Sequence, residues 1–178
     1  MSTAKDRRWM NWPAIRQSPR QWLALLGGTY FGVGLLPWAP GTWGTLAALP
    51  LWYWSESCNT TFRIALWLGL AGWGVWSAYS LDRVNGTRDN QNIVMDEVTG
   101  VGITAWWAGQ HVQNYVAAFL VFRVLDMTKP FPARSFDRWS HEHGSAWKSA
   151  IGVMADDWVV GLQGLLLLKL AQSWGWLP

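Results

Sequence analysis

Three long stretches of this chain carry no charged residue. They lie between Arg20 and Glu56, between Arg63 and Asp82, and between Glu97 and Arg123. A helix needs about 20 residues to cross the hydrocarbon core of a bilayer. Stretches of this length therefore predict membrane-spanning helices, and the alternative is a soluble helical bundle with an apolar core.

Polar, proline and glycine residues divide these stretches into six predicted helices. The helices are expected at 22–36, 42–55, 62–81, 93–108, 113–127 and 149–171. They are separated by a Pro/Gly break at 35–44, a turn at 108–114 and a polar connection at 128–148. We predict an all-α fold, a bundle of about five to six helices, with a basic tail at 1–21 and a single domain at 22–178.

The composition favours the membrane interpretation. Hydrophobic residues make up 51% of the chain and charged residues 14%, against about 25% charged residues in a typical soluble domain. Seventeen residues are Trp, a side chain that is enriched where a membrane meets water. A mean hydropathy near zero and glycine-interrupted helices support the soluble alternative instead.

The basic residues cluster in three polar segments. These are the N-terminal tail, the 82–92 loop and the 128–148 connection, which hold Lys5, Arg7, Arg8, Arg16, Arg20, Arg83, Arg88, Lys129, Arg134, Arg138 and Lys148. If 93–108 and 113–127 form a hairpin, all three segments lie on one side of the membrane, and the positive-inside rule makes that side cytoplasmic. The opposite ends of the helices hold a predicted aromatic belt of Trp52, Trp54, Trp106, Trp107, Trp174 and Trp176.

Composition also excludes several kinds of site. The net charge is only +3, and the basic residues do not alternate with aromatic residues, so no nucleic-acid partner is expected. The one cysteine, Cys58, rules out a disulfide framework, a Cys-rich zinc cluster and a redox pair. The sequence sets no oligomeric state.

Five of the eleven acidic residues lie in or against apolar helices. They are Asp96, Glu97, Asp126, Asp156 and Asp157, and the predicted topology brings all five to the cytoplasmic end of the bundle. An isolated carboxylate in apolar surroundings is costly, so a shared cation would explain them. Oxygen ligands without Cys or paired His suit Mg²⁺. The alternatives are an ion pair for Asp126, a helix-dipole interaction for Asp156 and a hydrated helix start for Asp96 and Glu97.

Basic side chains stand close to these acids. The segment FRVLDMTKP (122–130) spaces Arg123, Asp126 and Lys129 three residues apart, so Arg123 and Asp126 share a helix face and can pair. Arg and Lys beside a metal are suited to binding phosphate. Glycines frame both acidic pairs, at Gly100, Gly102, Gly152 and Gly161, and small residues allow helices to approach closely.

A second candidate anion site is the segment GLLPWAPGTWGT (34–45). It is not a P-loop, because no Lys follows the second glycine of the G-x-x-x-x-G-K-[ST] pattern. Gly41 could still offer a backbone N–H, and Thr42 or Thr45 a hydroxyl, to an anion at a helix start. The alternative is a structural turn between two helices.

Taken together, the chain resembles the phosphatidylglycerophosphatase A family. The resemblance rests on FGVGLLPWAPGTWGTLAALP (31–50), IVMDEVTG (93–100), FRVLDMTKPFP (122–132) with FDR (136–138), and GVMADDWVVG (152–161). It implies an all-helical, multi-pass bundle in the bacterial inner membrane with its active site facing the cytoplasm. It implies Mg²⁺-dependent hydrolysis of the terminal phosphate of phosphatidylglycerophosphate, giving phosphatidylglycerol.

The resemblance assigns roles to these residues. Its polar core corresponds to Asp96, Glu97, Arg123, Asp126, Lys129, Asp156 and Asp157. We expect the metal on Asp96, Glu97, Asp156 and Asp157, the substrate phosphate on Arg123, Lys129, Gly41 and Thr42, and catalysis from Asp126, Lys129 and Arg123. The family usually has a Gly-Gly pair after the DR, whereas here the longer segment 139–151 has a single glycine. His141 and His143 in that segment are expected to be loop residues rather than ligands.

The chain lacks the residues that other phosphatase mechanisms require. Cys58 is not part of a C-x5-R loop, and neither a D-x-D-x-[TV] motif nor a PSGH-like segment is present. Two alternative functions are also compatible with the sequence. One is a membrane cation or proton carrier that uses the buried acids as its pathway. The other is an enzyme of the CDP-alcohol phosphotransferase type, although its long acidic pattern is not found.

Overall fold

The computed structural model describes residues 10–87, 90–133 and 145–178, and the predictions for His141 and His143 lie outside this part. Within it, all regular secondary structure is helical, which confirms the all-α class. The helices are α1 (Trp12–Arg16), α2 (Pro19–Gly28), α3 (Pro40–Ser55), α4 (Thr60–Asn85), α5 (Met95–Thr104), α6 (Val112–Thr128) and α7 (Ala146–Ser173), with a 3₁₀ turn at Val33–Leu35.

Each of the six predicted helices has a counterpart among α2 to α7. The predicted helix at 22–36 was wrong at its C-terminal end, because α2 stops at Gly28. Tyr30, Phe31 and Gly32 have φ angles of 45°, 57° and 95°, which a right-handed helix cannot contain. Helix α1, in the segment predicted as a basic tail, had not been predicted.

Helix lengths change the membrane prediction. Helices α4 and α7, with 26 and 28 residues, are long and apolar enough to cross a bilayer. Helix α5 has ten residues and therefore rises about 15 Å, half the thickness of the hydrocarbon core. The prediction of a spanning helix at 93–108 was therefore wrong, since α5 ends at Thr104.

Helix α5 is the centre of the bundle. It contacts α3, α4, α6 and α7, and Val98 and Val101 on it are fully buried. Its backbone also anchors an aromatic side chain, because Trp52 on α3 donates a hydrogen bond from Nε1 to the Val98 carbonyl at 2.8 Å. Trp52 is only 2% exposed, so its predicted place in an aromatic belt was wrong. Neighbouring helices are thus positioned by their contacts with α5.

The crossing of α5 and α7 brings two backbones into direct contact. A Cβ atom on Gly161 of α7 would lie 2.5 Å from the carbonyl oxygen of Gly100 on α5. Thr104 donates a hydrogen bond from its hydroxyl to the Gly161 carbonyl at 3.2 Å, and its side chain also lies against Gly164. Glycine is required at this crossing because a larger residue would push the two helices apart.

Replacing Gly161 by Ala should therefore destabilise the protein by about 1–3 kcal/mol, the usual cost of overpacking. Thermal unfolding of the detergent-solubilised protein would measure the change. The matched control is Gly69→Ala on α4, where an added Cβ meets no atom within 4 Å. The control should be neutral or stabilising, since Ala favours a helix by up to about 1 kcal/mol over Gly. Equal stability of the two variants would contradict this account of the crossing.

Candidate active site

Three carboxylates from two helices meet next to this crossing. Asp96 and Glu97 extend from the first turn of α5 and Asp157 from α7, and one oxygen from each lies within 4.8 Å of the others. Glu97 Oε2 and Asp157 Oδ2 are buried and have no hydrogen-bond partner among the described residues. Unsatisfied, mutually repelling oxygens are unfavourable away from water. This donor set fits a hard divalent cation such as Mg²⁺, which takes oxygen ligands.

The local backbone explains how the carboxylates come so close. Gly100 lies one turn after Asp96 and Glu97, and a Cβ at Gly100 would lie 2.8 Å from the Asp157 carbonyl oxygen. The missing side chain allows α7 to pass directly over α5 at Asp157. Asp157 is the twelfth residue of α7, so the acidic pair lies deeper in this helix than the predicted bounds of 149–171 imply. The helix begins earlier than predicted, at Ala146.

Arg123 of α6 reaches the edge of this group. Its Nη1 donates to Asp126 Oδ2 at 2.6 Å, which confirms the pairing that their spacing predicts. The same nitrogen lies 4.0 Å from Glu97 Oε1. Both the Arg123 and the Asp126 side chains are largely buried. Asp126 therefore holds the guanidinium beside the carboxylates rather than joining their cluster.

Lys129 lies where α6 ends. It adopts a left-handed conformation with a φ of 41°, and its backbone N–H caps the helix by donating to the Leu125 carbonyl at 2.7 Å. Its ammonium forms an ion pair with Asp156 Oδ2. The structure thus places Asp156, predicted as a metal ligand, against Lys129 and outside the group of three carboxylates. The Lys129 side chain is 30% exposed and that of Asp156 6%, so the lysine remains within reach of a ligand.

Gly41, in the first turn of α3, completes the site. A Cβ on Gly41 would overlap Glu97 Oε1 and would lie 3.3 Å from Arg123 Nη1. The next residue, Thr42, is half-buried. The other candidate hydroxyl, on Thr45, is buried and donates to the Gly41 carbonyl at 2.7 Å. Gly41 therefore lies at the site, whereas the Thr45 hydroxyl serves the helix.

Sequence reasoning missed the aromatic residues that brace this region. Trp158 Nε1 donates to the Thr99 hydroxyl at 2.9 Å, and Trp67 Nε1 donates to the Thr99 carbonyl at 3.1 Å. The two indole rings pack at 5.2 Å between centroids. Trp158 follows Asp157 directly, so its hydrogen bond fixes the rotation of α7 relative to α5. The position of Trp158 directly after the acidic pair is the sequence feature that could have indicated its role.

The sequence profile of the Phosphatidylglycerophosphatase A family matches residues 26–172. The chain belongs to this family. The match contains all of the site residues described above, and it confirms the family that the four sequence motifs indicate. The protein is therefore an enzyme of the phosphatase class.

Three relatives show how far the family likeness extends. Phosphatidylglycerophosphatase A of Escherichia coli is 39% identical over 134 residues, 74% of this chain and 73% of that protein. The Haemophilus influenzae protein of the same name is 32% identical, over 81% of this chain and 85% of its own. A Bacteroides thetaiotaomicron protein, provisionally named a phosphatidylinositol-3-phosphatase, is 31% identical over 84% of this chain and 94% of its own. No solved structure matches the chain.

The position of Gly41 generates a specific prediction. Gly41→Ala should lower phosphate release about 10- to 100-fold, the usual effect of displacing a group that orients a ligand. The reason is that the new methyl group displaces the Glu97 carboxylate. Gly72→Ala on α4, where an added Cβ contacts nothing within 4 Å, is the control and should keep full activity. Wild-type turnover per folded molecule in Gly41→Ala would show that this contact is unimportant.

Proposed function

We propose that the protein hydrolyses the terminal phosphate of phosphatidylglycerophosphate and thereby produces phosphatidylglycerol for phospholipid biosynthesis. The observation that carries the proposal is the juxtaposition of three carboxylates, Asp96, Glu97 and Asp157, with the basic side chain of Arg123. A metal-assisted phosphatase site needs both a means to hold a cation and a means to hold phosphate oxygens. The names of two relatives support this lipid as the substrate.

Asp96, Glu97 and Asp157 would hold Mg²⁺. Two of them present buried oxygens without a hydrogen-bond partner in the described ranges, and these oxygens are suitable ligands. When bound, a divalent cation supplies positive charge beside the phosphoryl group and acidifies water. The carboxylates would therefore determine both the affinity for the cation and its position relative to the substrate.

Arg123 and Lys129 would bind the phosphate oxygens. The guanidinium offers several N–H donors in a planar fork, and the ammonium offers a compact positive charge. Each is held by a carboxylate, Arg123 by Asp126 and Lys129 by Asp156. Asp126 and Asp156 thus act as positioning residues. Pairing lowers the entropy that the basic side chains lose when substrate binds.

The start of α3 would supply further phosphate contacts. Gly41 lies beside Glu97 and Arg123, and the first-turn N–H groups of a helix attract anions. We propose that the Gly41 backbone N–H and the Thr42 hydroxyl donate to the phosphate. In the reaction the bond between phosphorus and the glycerol oxygen breaks, oxygen from water is added to phosphorus, and the glycerol oxygen takes up a proton.

The site residues distinguish a phosphatase from a cation or proton carrier. A carrier that moves cations or protons would need the acids but not a pair of basic side chains beside them. Arg123 and Lys129, each fixed by its own carboxylate, instead suit an anionic substrate. The direct test is phosphate release from phosphatidylglycerophosphate, with phosphatidylinositol 3-phosphate as the second substrate.

The two carboxylates of the acidic pair on α7 should respond differently to Asn. Asp157→Asn removes a proposed cation ligand, so turnover should fall about 100-fold or more and recover in part at high Mg²⁺. Asp156→Asn leaves the three carboxylates that would bind the cation intact but releases Lys129. Turnover should therefore fall, and high Mg²⁺ should not restore it. Phosphate release per folded molecule, titrated with Mg²⁺ after EDTA treatment, measures both.

The control for these variants is Glu56→Gln. Glu56 forms an ion pair with Arg63 at 2.7 Å and follows the C-terminal end of α3, whereas Gly41 lies at the start of that helix. The substitution should therefore leave turnover unchanged. Full activity of Asp157→Asn, or full activity of the wild type after exhaustive chelation, would remove the cation from the proposal.

We further propose that the protein lies in the bacterial inner membrane with its site on the cytoplasmic side. Helices α4 and α7 meet the length and composition of membrane spans, and the basic segments favour the cytoplasm for their side. Cys58 follows α3 at the end away from the site, whereas Ser145 precedes α7. A membrane-impermeant maleimide should label Cys58 in intact spheroplasts.

The matched variant places the label on the other side. In a Cys58→Ser background, Ser145→Cys should react with the same maleimide only after the spheroplasts are lysed. Labelling of position 145 from outside, or failure to label Cys58 until lysis, would reverse the proposed orientation.

A further inference from the structure

An apolar groove runs between α3 and α6 on the outside of the bundle. Its volume is about 450 Å³, and it is lined by Leu46, Leu49, Pro50 and Tyr53 of α3 and by Val112, Tyr115 and Val116 of α6. This volume is in the range of small-molecule sites. Leu46, Val112 and Val116 are 44%, 62% and 52% exposed, so the groove is open to the surroundings of the protein.

The polar atoms in the groove walls are few. The Tyr115 hydroxyl donates to the Trp52 carbonyl at 3.2 Å, and its ring packs edge to face with that of Tyr53 at 5.3 Å between centroids. Pro50 lies inside α3 and has no N–H to offer a ligand. The groove thus presents an almost entirely apolar surface, which suits a hydrocarbon chain and not a polar head group.

The two helices that form the groove also form the proposed phosphate site. Leu46 and Tyr53 come five and twelve residues after Gly41, roughly 7 and 18 Å along α3. Val116 and Val112 come seven and eleven residues before Arg123, roughly 10 and 17 Å along α6. Because Gly41 and Arg123 lie together, both helices lead away from the site towards the groove.

We propose that this groove binds one acyl chain of the lipid substrate while the terminal phosphate of that lipid occupies the site. The inference rests on the proposed function. The groove continues from the phosphate site along α3 and α6. This continuity favours a chain of the substrate over a bilayer lipid or a second copy of the protein, because neither of these has to extend along the two helices from Gly41 and Arg123. The groove then selects substrates by the presence of a long hydrocarbon chain.

Filling the groove tests the proposal. Val116→Trp and Leu49→Trp should lower kcat/KM for a dipalmitoyl lipid phosphate about tenfold, which corresponds to excluding roughly two methylene groups from an apolar site. A dihexanoyl lipid with the same head group should be hydrolysed as before, because its chains are too short to fill the groove. The control is Leu166→Trp on α7, a position that is 65% exposed and does not line the groove.

The outcomes separate the groove from the function. An equal loss on both chain lengths, no loss on either, or the same selective loss in Leu166→Trp would overturn the acyl-chain site. Absence of phosphate release by the wild type from either lipid would instead overturn the proposed function, whatever the variants do.

A second measurement does not depend on the variants folding. A phosphonate analogue of the lipid, with a photoreactive diazirine in one acyl chain, should cross-link wild-type protein within residues 46–53 or 112–116. Excess unlabelled lipid phosphate should suppress these cross-links, and the same lipid without the terminal phosphate should not. Equal suppression by both lipids, or cross-links spread evenly over α4 and α7, would show that the groove holds only bilayer lipid.

Discussion

The arrangement of this bundle depends on holding three carboxylates together among apolar helices. Asp96, Glu97 and Asp157 repel one another, and their oxygens are within 4.8 Å. Such a group persists only where the surrounding packing is rigid and a positive charge can compensate it. The backbone contact between Gly100 and Gly161 and the tryptophan hydrogen bonds to Thr99 supply that rigidity.

Charge balance among the described residues explains why Arg123 and Lys129 alone do not complete the site. Within the described ranges, the polar core contains five carboxylates, from Asp96, Glu97, Asp126, Asp156 and Asp157, and two basic groups, from Arg123 and Lys129. Both basic groups form ion pairs, with Asp126 and Asp156, so carboxylates outnumber basic groups in this described part of the site. A phosphate would be repelled by that excess. A divalent cation on the three clustered carboxylates makes the same pocket attractive to an anionic substrate.

Local sequence patterns predicted the parts of the site that depend on one helix. The three-residue spacing of Arg123 and Asp126 predicted their ion pair, and the apolar stretches predicted six helices close to their observed places. Contacts between helices could not be predicted from local sequence patterns. Asp156, for example, forms an ion pair with Lys129 from another helix, 27 residues away in sequence. The end of α2 was missed since Tyr30 and Phe31 take positive φ angles without being glycines, and no local rule signals this.

A structure determined in the presence of Mn²⁺ would locate the cation itself, because the ion gives an anomalous signal and replaces Mg²⁺ at oxygen sites. We expect one anomalous peak about 2.0–2.6 Å from carboxylate oxygens of Asp96, Glu97 and Asp157, with Asp156 still paired to Lys129. A peak ligated by Asp156 in place of Asp157, or no peak at the three carboxylates under saturating Mn²⁺, would contradict this expectation.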